Sequence, residues 1–303
     1  MDDLPTPDDR SIHAISDLVY RHTGIHIGPS KAYFLVGRLG RLYQSLRCAD
    51  WGDLASRIET ASPDLVETFV QSVVIAETRF FRDELPFRAL AEKIAPEIAA
   101  QRALPAPLRI WSAGCSTGQE PYSAVMALWD RIESGLLDVE VWATDISANA
   151  LEAARRGVYE PFELNRGLPP EVRCRFFEEA RGGAAKVRSE IRARVRFERL
   201  NLCVDAPPRR DFDVVFCRNV AIYFDRAGKD RLYRRLADAI GCAGYLILGG
   251  AETPLGSMQG FETVYFGRYL LFRKATEVAD GCQNKRAGST RPKGASSKPR
   301  SRL

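Results

Sequence analysis

The sequence predicts an α/β protein: a mostly parallel, doubly wound sheet that ends in an antiparallel hairpin, with a small all-helical domain ahead of it. Three observations predict this. Apolar residues at helical spacing, without strand patterns, occupy the stretch from Ser11 to about Ile75. From Leu108 onward, short apolar strands alternate with amphipathic helices. Near the end, two β-rich segments are separated only by Gly267-Arg268, the length of a hairpin turn.

Each element has its own signal. Ile12, Ile15, Leu18 and Val19 mark a first helix, and Phe34, Leu35, Leu39, Leu42 and Leu46 mark a longer one beginning near Pro29-Ser30. Leu54 with Ile58, then Leu65, Phe69 and Val73, mark two more. A helix over Leu85–Ala100 leads into strands at Leu108–Trp111, Val139–Ala143, Val195–Leu200, Phe212–Phe216 and Tyr245–Leu248. Helices at Tyr122–Ser134, Ala148–Arg156 and Lys229–Ile240 interleave them, and Glu262–Phe266 with Tyr269–Phe272 form the hairpin. The expected domains are a helical unit over 1–75, an α/β unit over 76–276 and a basic tail over 277–303. That tail is rich in Gly, Ser, Lys and Arg, a composition that does not support a packed core.

Bulk numbers bound the function. The chain has 303 residues, 45% apolar and 27% charged, enough for two domains with a real core. No apolar run approaches the ~20 residues of a membrane span, and the acidic, Pro-bearing start is wrong for a secretory signal. Seven cysteines lack any C-x-x-C pair and all three histidines precede residue 27, so no metal site is expected and reduced thiols in a cytoplasmic protein are. The net charge of +5 resides in the tail, where seven Lys/Arg meet two acids; the rest is neutral, and nucleic-acid binding is not expected.

The segment from Trp111 to Ser123 is the most informative. A strand runs into the small-residue loop Ala113-Gly114-Cys115-Ser116-Thr117-Gly118, followed by a helix expected to start directly after Pro121. Small residues there let the backbone approach a nucleotide-like ligand closely, although a tight turn is the competing explanation. Asp145 closes the second strand, at the sheet edge where such ligands bind; it either accepts two ribose hydroxyls or caps the helix near Ser147.

The stretch from Ala113 to Ser123, A-G-C-S-T-G-Q-E-P-Y-S, closely resembles the signature of the CheR-type chemoreceptor methyltransferases. Three further segments resemble that family in order: Glu77-Thr78-Arg79-Phe80-Phe81-Arg82-Asp83, Ala143-Thr144-Asp145-Ile146 and the run from Phe216 to Phe224. The resemblance covers about Ser11 to Lys274. It implies the class I methyltransferase fold with a small antiparallel β insert at about 175–199, S-adenosyl-L-methionine as cofactor and S-adenosyl-L-homocysteine as product. It also implies methyl transfer to glutamate side chains on the cytoplasmic helical domain of chemoreceptors.

By that resemblance, Ala76, Thr78, Arg82, Gly114, Glu120, Asp145, Asn201, Leu202, Arg218 and Asn219 surround the cofactor, and Arg82 and Tyr223 carry the acceptor side. Glu120 also suits a helix N-terminus for electrostatic reasons alone. Tyr223 has an equal alternative as packing under its loop, like Phe224. Thr78 and Arg82 lie four apart, so one helical turn would present both, and Phe80 and Phe81 would bury the guanidinium against an anion. Lys31, Arg38 and Arg41 form one basic helix face, either simply solvated or docked to an acidic receptor bundle. Two departures stand out: Ala76 replaces the usual Asn, and Gly250-Ala251-Glu252 stands where His-Ser-Glu is common. The turn Arg181-Gly182-Gly183-Ala184-Ala185 is short for the insert to grip a receptor C-terminal tether, as it does in some members of that family. A monomer is expected, cytoplasmic and transiently at membrane receptor arrays. The rival readings are a related methyltransferase with another acceptor, and a cofactor-binding regulator without catalysis.

Overall fold

The computed structural model describes residues 4–28, 32–102, 106–254 and 258–275. The tail, Lys31 and Pro29-Ser30 lie outside these described residues.

Four helices come first: α1 (Asp9–Thr23), α2 (Ala32–Ser45), α3 (Trp51–Glu59) and α4 (Pro63–Val73). Asp8 caps α1 by accepting the Ser11 amide at 2.7 Å, and Gly24 ends it in the left-handed conformation (φ 75°) that a Cβ disfavours. The predicted apolar faces meet in a core of their own, with Ile15, Val19, Leu39, Leu54, Phe69 and Val73 essentially inaccessible.

Helix α5 (Glu84–Ala89) continues through a widened turn at Leu90–Ile94 into α6 (Ala95–Gln101). The Ala95 amide there bonds five residues back, to Leu90. Pro96 explains the widening, because it has no amide for the next bond and its ring needs room against the preceding turn. The predicted single helix is therefore continuous but locally π-wound.

The strands are β1 (Leu108–Ala113), β2 (Val139–Asp145), β3 (Val158–Tyr159), β4 (Phe177–Glu179), β5 (Ala185–Val187), β6 (Val195–Arg199), β7 (Phe212–Cys217), β8 (Ile240–Leu248), β9 (Phe261–Phe266) and β10 (Tyr269–Lys274). Seven make one sheet in the order β6-β2-β1-β7-β8-β10-β9. All neighbours are parallel except β8-β10 and β10-β9. The order reverses beside β1, so the loops after β1 and β7 face a common crevice. The antiparallel hairpin closes the far side, as the sequence predicts.

Two boundaries differ from expectation. The insert is the separate antiparallel sheet β3-β5-β4, which begins at Val158 and ends at Val187 rather than spanning about 175–199. Its first strand has two residues and carries no alternation to read. Val195–Arg199 belongs to the main sheet, paired parallel with β2.

Helices α7 (Gln119–Ala127) and α8 (Trp129–Glu133) replace the single predicted Tyr122–Ser134 helix, with a break at Leu128. α9 (Ala148–Arg156) follows β2. Short helices α10 (Pro161–Leu164), α11 (Pro170–Phe176) and α12 (Ser189–Arg192) surround the insert, and α13 (Arg226–Ala239) precedes β8. Buried residues pack on both faces of the main sheet, Phe87, Tyr122, Leu151 and Phe216 on one side, Trp111, Phe212, Leu232 and Leu246 on the other.

Candidate active site

At the carboxyl edge of β1 the chain turns sharply. The Gly114 and Cys115 amides both bond the Thr144 carbonyl, which hooks the loop onto β2. Gly114 has φ 84°, and a Cβ there would lie 2.5 Å from Val220, so only glycine lets the β1 and β7 loops approach this closely. Gly118 has φ 95°, where a Cβ would lie 2.9 Å from Ala154, and α7 starts right after it, at Gln119 instead of after Pro121. Pro121 lies in the first turn, where its missing amide costs nothing.

Asp145 sits inside this turn. Its Oδ2 accepts the Ser116 amide at 2.8 Å and its Oδ1 the Ser147 amide at 2.9 Å. The cap of α9 is Ser147, whose hydroxyl accepts from Ala150 at 3.1 Å, so Asp145 is not the helix cap. Each carboxylate oxygen keeps acceptor capacity for a ligand. Burial raises the Asp145 pKa above its ordinary value, against the pull of the two amides.

Glu120 is buried as well. Its Oε1 accepts from the Ser112 hydroxyl at 2.8 Å and its Oε2 from Arg218 at 3.2 Å. Burial pushes its carboxyl up, while Arg218 and Ser112 oppose the shift. Arg218, almost wholly inaccessible, also donates to the Arg82 carbonyl and to Asp83 at 2.8 Å. Beside it, Asn219 adopts a left-handed φ of 59°, and its buried Oδ1 has no partner among the described residues.

These side chains line one cleft of about 1030 Å³, including its open mouth, with Thr78, Arg82, Gly114, Asn201, Leu202 and Tyr223 also on its wall. Ala76 is not on that wall; its carbonyl instead accepts from the Ser116 hydroxyl at 3.0 Å, while Ile75 and Glu77 on either side line the cleft. Asn201 faces the cleft, but its amide group is engaged within the protein. It donates to the His22 carbonyl at 2.9 Å and accepts from the Cys203 amide at 2.9 Å. The bond to His22 ties Asn201 to the end of α1.

Thr78 and Arg82 share the cleft without sharing a helical turn. The segment 76–83 is irregular, and Phe81 and Asp83 both have positive φ. Arg82 is half-buried, not sealed in by Phe80 and Phe81. Its guanidinium reaches the Glu77 carbonyl at 3.4 Å and pairs with no carboxylate among the described residues. Tyr223 is half-buried; burial raises its pKa, and the Arg82 and Arg38 charges pull it back, so both cations lie within electrostatic reach of the phenol. Arg38 and Arg41 are exposed on α2, with Arg38 over the Phe34 ring.

Sequence reasoning missed several participants. Thr23 and Ile25, at the end of α1, and Val74 and Ile75, after α4, line the cleft. Hydrophobicity alone does not separate wall residues from core, but the Gly24 stop between Thr23 and Ile25 marks where the chain leaves its helix. Glu252 is the other omission: an acid just past Gly249-Gly250 at the carboxyl end of β8, buried, accepting three backbone amides. Cys115 and Cys217 are buried off the cleft, with thiol pKa values raised by burial. No cluster with metal-ligating composition occurs among the described residues.

Comparison with known proteins gives two family matches. Residues 76–269 match the CheR methyltransferase SAM-binding domain and residues 10–74 the CheR methyltransferase all-alpha domain. A chemotaxis protein methyltransferase of Vibrio parahaemolyticus is 38% identical over 272 residues, covering 88% of this chain and 98% of its own. Chemotaxis protein methyltransferase 1 of Pseudomonas aeruginosa is 39% identical over 258 residues, covering 82% and 92%. Among solved structures, the rRNA methyltransferase aviRa of Streptomyces viridochromogenes aligns with a TM-score of 0.38 at 14% identity, over 66% of this chain and 87% of its own.

Proposed function

The chain belongs to the CheR methyltransferase family, and on that premise we propose that it transfers a methyl group from S-adenosyl-L-methionine to glutamate side chains of chemoreceptors. The products are glutamate methyl esters and S-adenosyl-L-homocysteine, formed in chemotactic adaptation. The observation that carries the acceptor assignment is Arg82: a half-buried guanidinium on the cleft wall, without a carboxylate partner among the described residues.

The cleft fits the cofactor. Asp145 offers a fixed acceptor pair for the ribose hydroxyls, and the unpartnered Oδ1 of Asn219, with Glu120 nearby, suits the ammonium of the methionine part. Val74, Ile146, Leu200 and Leu202 give the apolar wall for the base. When bound, the cofactor supplies a methyl group on a cationic sulfonium. A glutamate acceptor has a pKa near ~4.3 and is already a carboxylate nucleophile at neutral pH, so no strong base is needed. Arg82 orients that carboxylate. Burial keeps Tyr223 protonated, so it serves as a hydrogen-bond donor, not a base. Charge is lost as anion meets cation, and exclusion of water together with alignment provides most of the acceleration.

The acceptor docks on the α2 face bearing Arg38 and Arg41. No helix among the described residues is long and apolar enough to cross a membrane. The proposed location is the cytoplasm, with a monomer visiting receptor arrays at the membrane. The test is transfer of a labelled methyl group to receptor-containing membranes. Base-labile label on the receptor is the expected result. Cofactor binding without any labelled receptor would overturn the acceptor assignment.

A further inference from the structure

We infer that Glu252 is a positioning residue for methyl transfer, setting the loop from Asn219 to Tyr223 by receiving its backbone amides. The inference rests on the acceptor-side role proposed above for Tyr223.

Glu252 is 7% exposed and touches the cleft only through other residues. Its Oε2 accepts the Asn219 amide at 2.7 Å and the Gly249 amide at 2.8 Å, and its Oε1 accepts the Val220 amide at 3.0 Å. Three amides from two loops thus converge on one carboxylate. The β8 loop holds the β7 loop at the point where the latter takes its left-handed residue, Asn219.

The loop beyond is stiff by construction. Val220 packs against Gly114, and its carbonyl accepts the Tyr223 amide at 3.2 Å within a short 3-10 turn, Ala221–Tyr223. A shift at Val220 therefore moves Tyr223. There is no room to absorb it on the other side, because a Cβ at Gly249 would lie 2.7 Å from Glu252 and 3.1 Å from the Asn219 amide.

Glutamine discriminates between the two halves of this anchor. Glu252→Gln keeps two bonds if its carbonyl takes the Oε2 position. Its amino group then faces the Val220 amide, donor against donor. Glu252→Asp keeps the charge but is one methylene short of both loops, which perturbs Asn219 as well.

The experiment measures three quantities on each variant: methyl transfer, S-adenosylhomocysteine affinity by calorimetry, and hydrogen exchange of the 218–224 segment with that product bound. Glu252→Gln is expected to lower kcat at least tenfold while changing product affinity less than about threefold. Its effect should largely vanish in a Tyr223→Phe background, since residues acting through one another are not additive. Exchange at 218–224 should accelerate while that of 114–123 holds. Glu252→Asp should weaken product binding as well. Equal losses with or without the Tyr223 hydroxyl, or unchanged exchange at 218–224, would overturn the inference. If the unaltered protein binds the product yet labels no receptor, the acceptor assignment falls, and exchange and affinity still decide the role of Glu252.

Discussion

Asp145 owes its position to two backbone amides, from Ser116 and Ser147, which leave its remaining lone pairs for a ligand. Asp145→Ala should weaken S-adenosylmethionine and S-adenosylhomocysteine by similar factors, because both carry the same ribose. A hydrogen bond to a charged group contributes ~1.5–3 kcal/mol, so a loss of roughly ten- to hundredfold is expected in calorimetric titrations. Unchanged affinity in a folded variant would reject the assignment. Acidity adds a second test. Burial lifts the Asp145 pKa above its ordinary value of about 3.8, so protonation begins at a higher pH than for an exposed aspartate. Protonation removes acceptor capacity. Product affinity should therefore fall as pH drops through the raised pKa, and Asp145→Asn should flatten that fall. Arg82 gives the acceptor-side counterpart. Arg82→Ala should cut the transfer rate far more than cofactor affinity, and Arg82→Lys should recover little, because an ammonium lacks the guanidinium fork. Equal losses in rate and cofactor binding would instead make Arg82 a cofactor residue. At this scale the sequence indicates which side chains meet, since Glu120, Asp145, Arg218 and Asn219 stand in readable motifs. It does not indicate how their bonds are spent. Asn201 is tied to His22, a partner 179 positions away, and no local pattern encodes that.

The helix α2 presents two different faces. Leu35, Leu39 and Leu42 bury one face in the helical core, while Arg38 and Arg41 stay exposed on another. Reversing Arg38 and Arg41 to Glu should raise the apparent KM for receptor and leave cofactor affinity intact. The effect should shrink at high salt, where the attraction is already screened over ~8 Å or less. Receptor methylation at two ionic strengths measures this, and a salt-independent or absent effect would place docking elsewhere. Long periodic elements such as α1, α13 and the central strands were legible because each has one sustained burial pattern. Short ones were not. The two-residue β3 has no period, the break at Leu128 has no Gly or Pro to announce it, and the start of α7 is obscured by a proline that first-turn geometry accommodates.

The helical and α/β units have separate cores, yet several contacts join them across the cleft. Asn201 reaches His22, the Tyr20 hydroxyl lies 3.4 Å from Asp225 and accepts from Arg231 at 3.0 Å, and Arg199 pairs with Glu67. Most of these pairs are exposed or partly so and hold weakly by themselves. Apolar periodicity announced two cores but not their seam, because the seam is polar and its partners are distant in sequence. Thr23 and Ile25 belong to the first core's last helix and its exit, and they wall the same cleft as Asp145 and Asn219 of the second. A molecule bound there touches both units at once and acts as a removable cross-link between them. Calorimetry without ligand should therefore resolve two overlapping unfolding transitions, the helical unit melting apart from the sheet. Saturating S-adenosylhomocysteine, at a hundred times its Kd, adds about 2.7 kcal/mol to whatever unfolds with the site. If that site spans both units, the two transitions should merge into one and move up together. Should only the later transition shift, the helical unit would be a bystander to binding, and its hold on the cleft a matter of proximity alone.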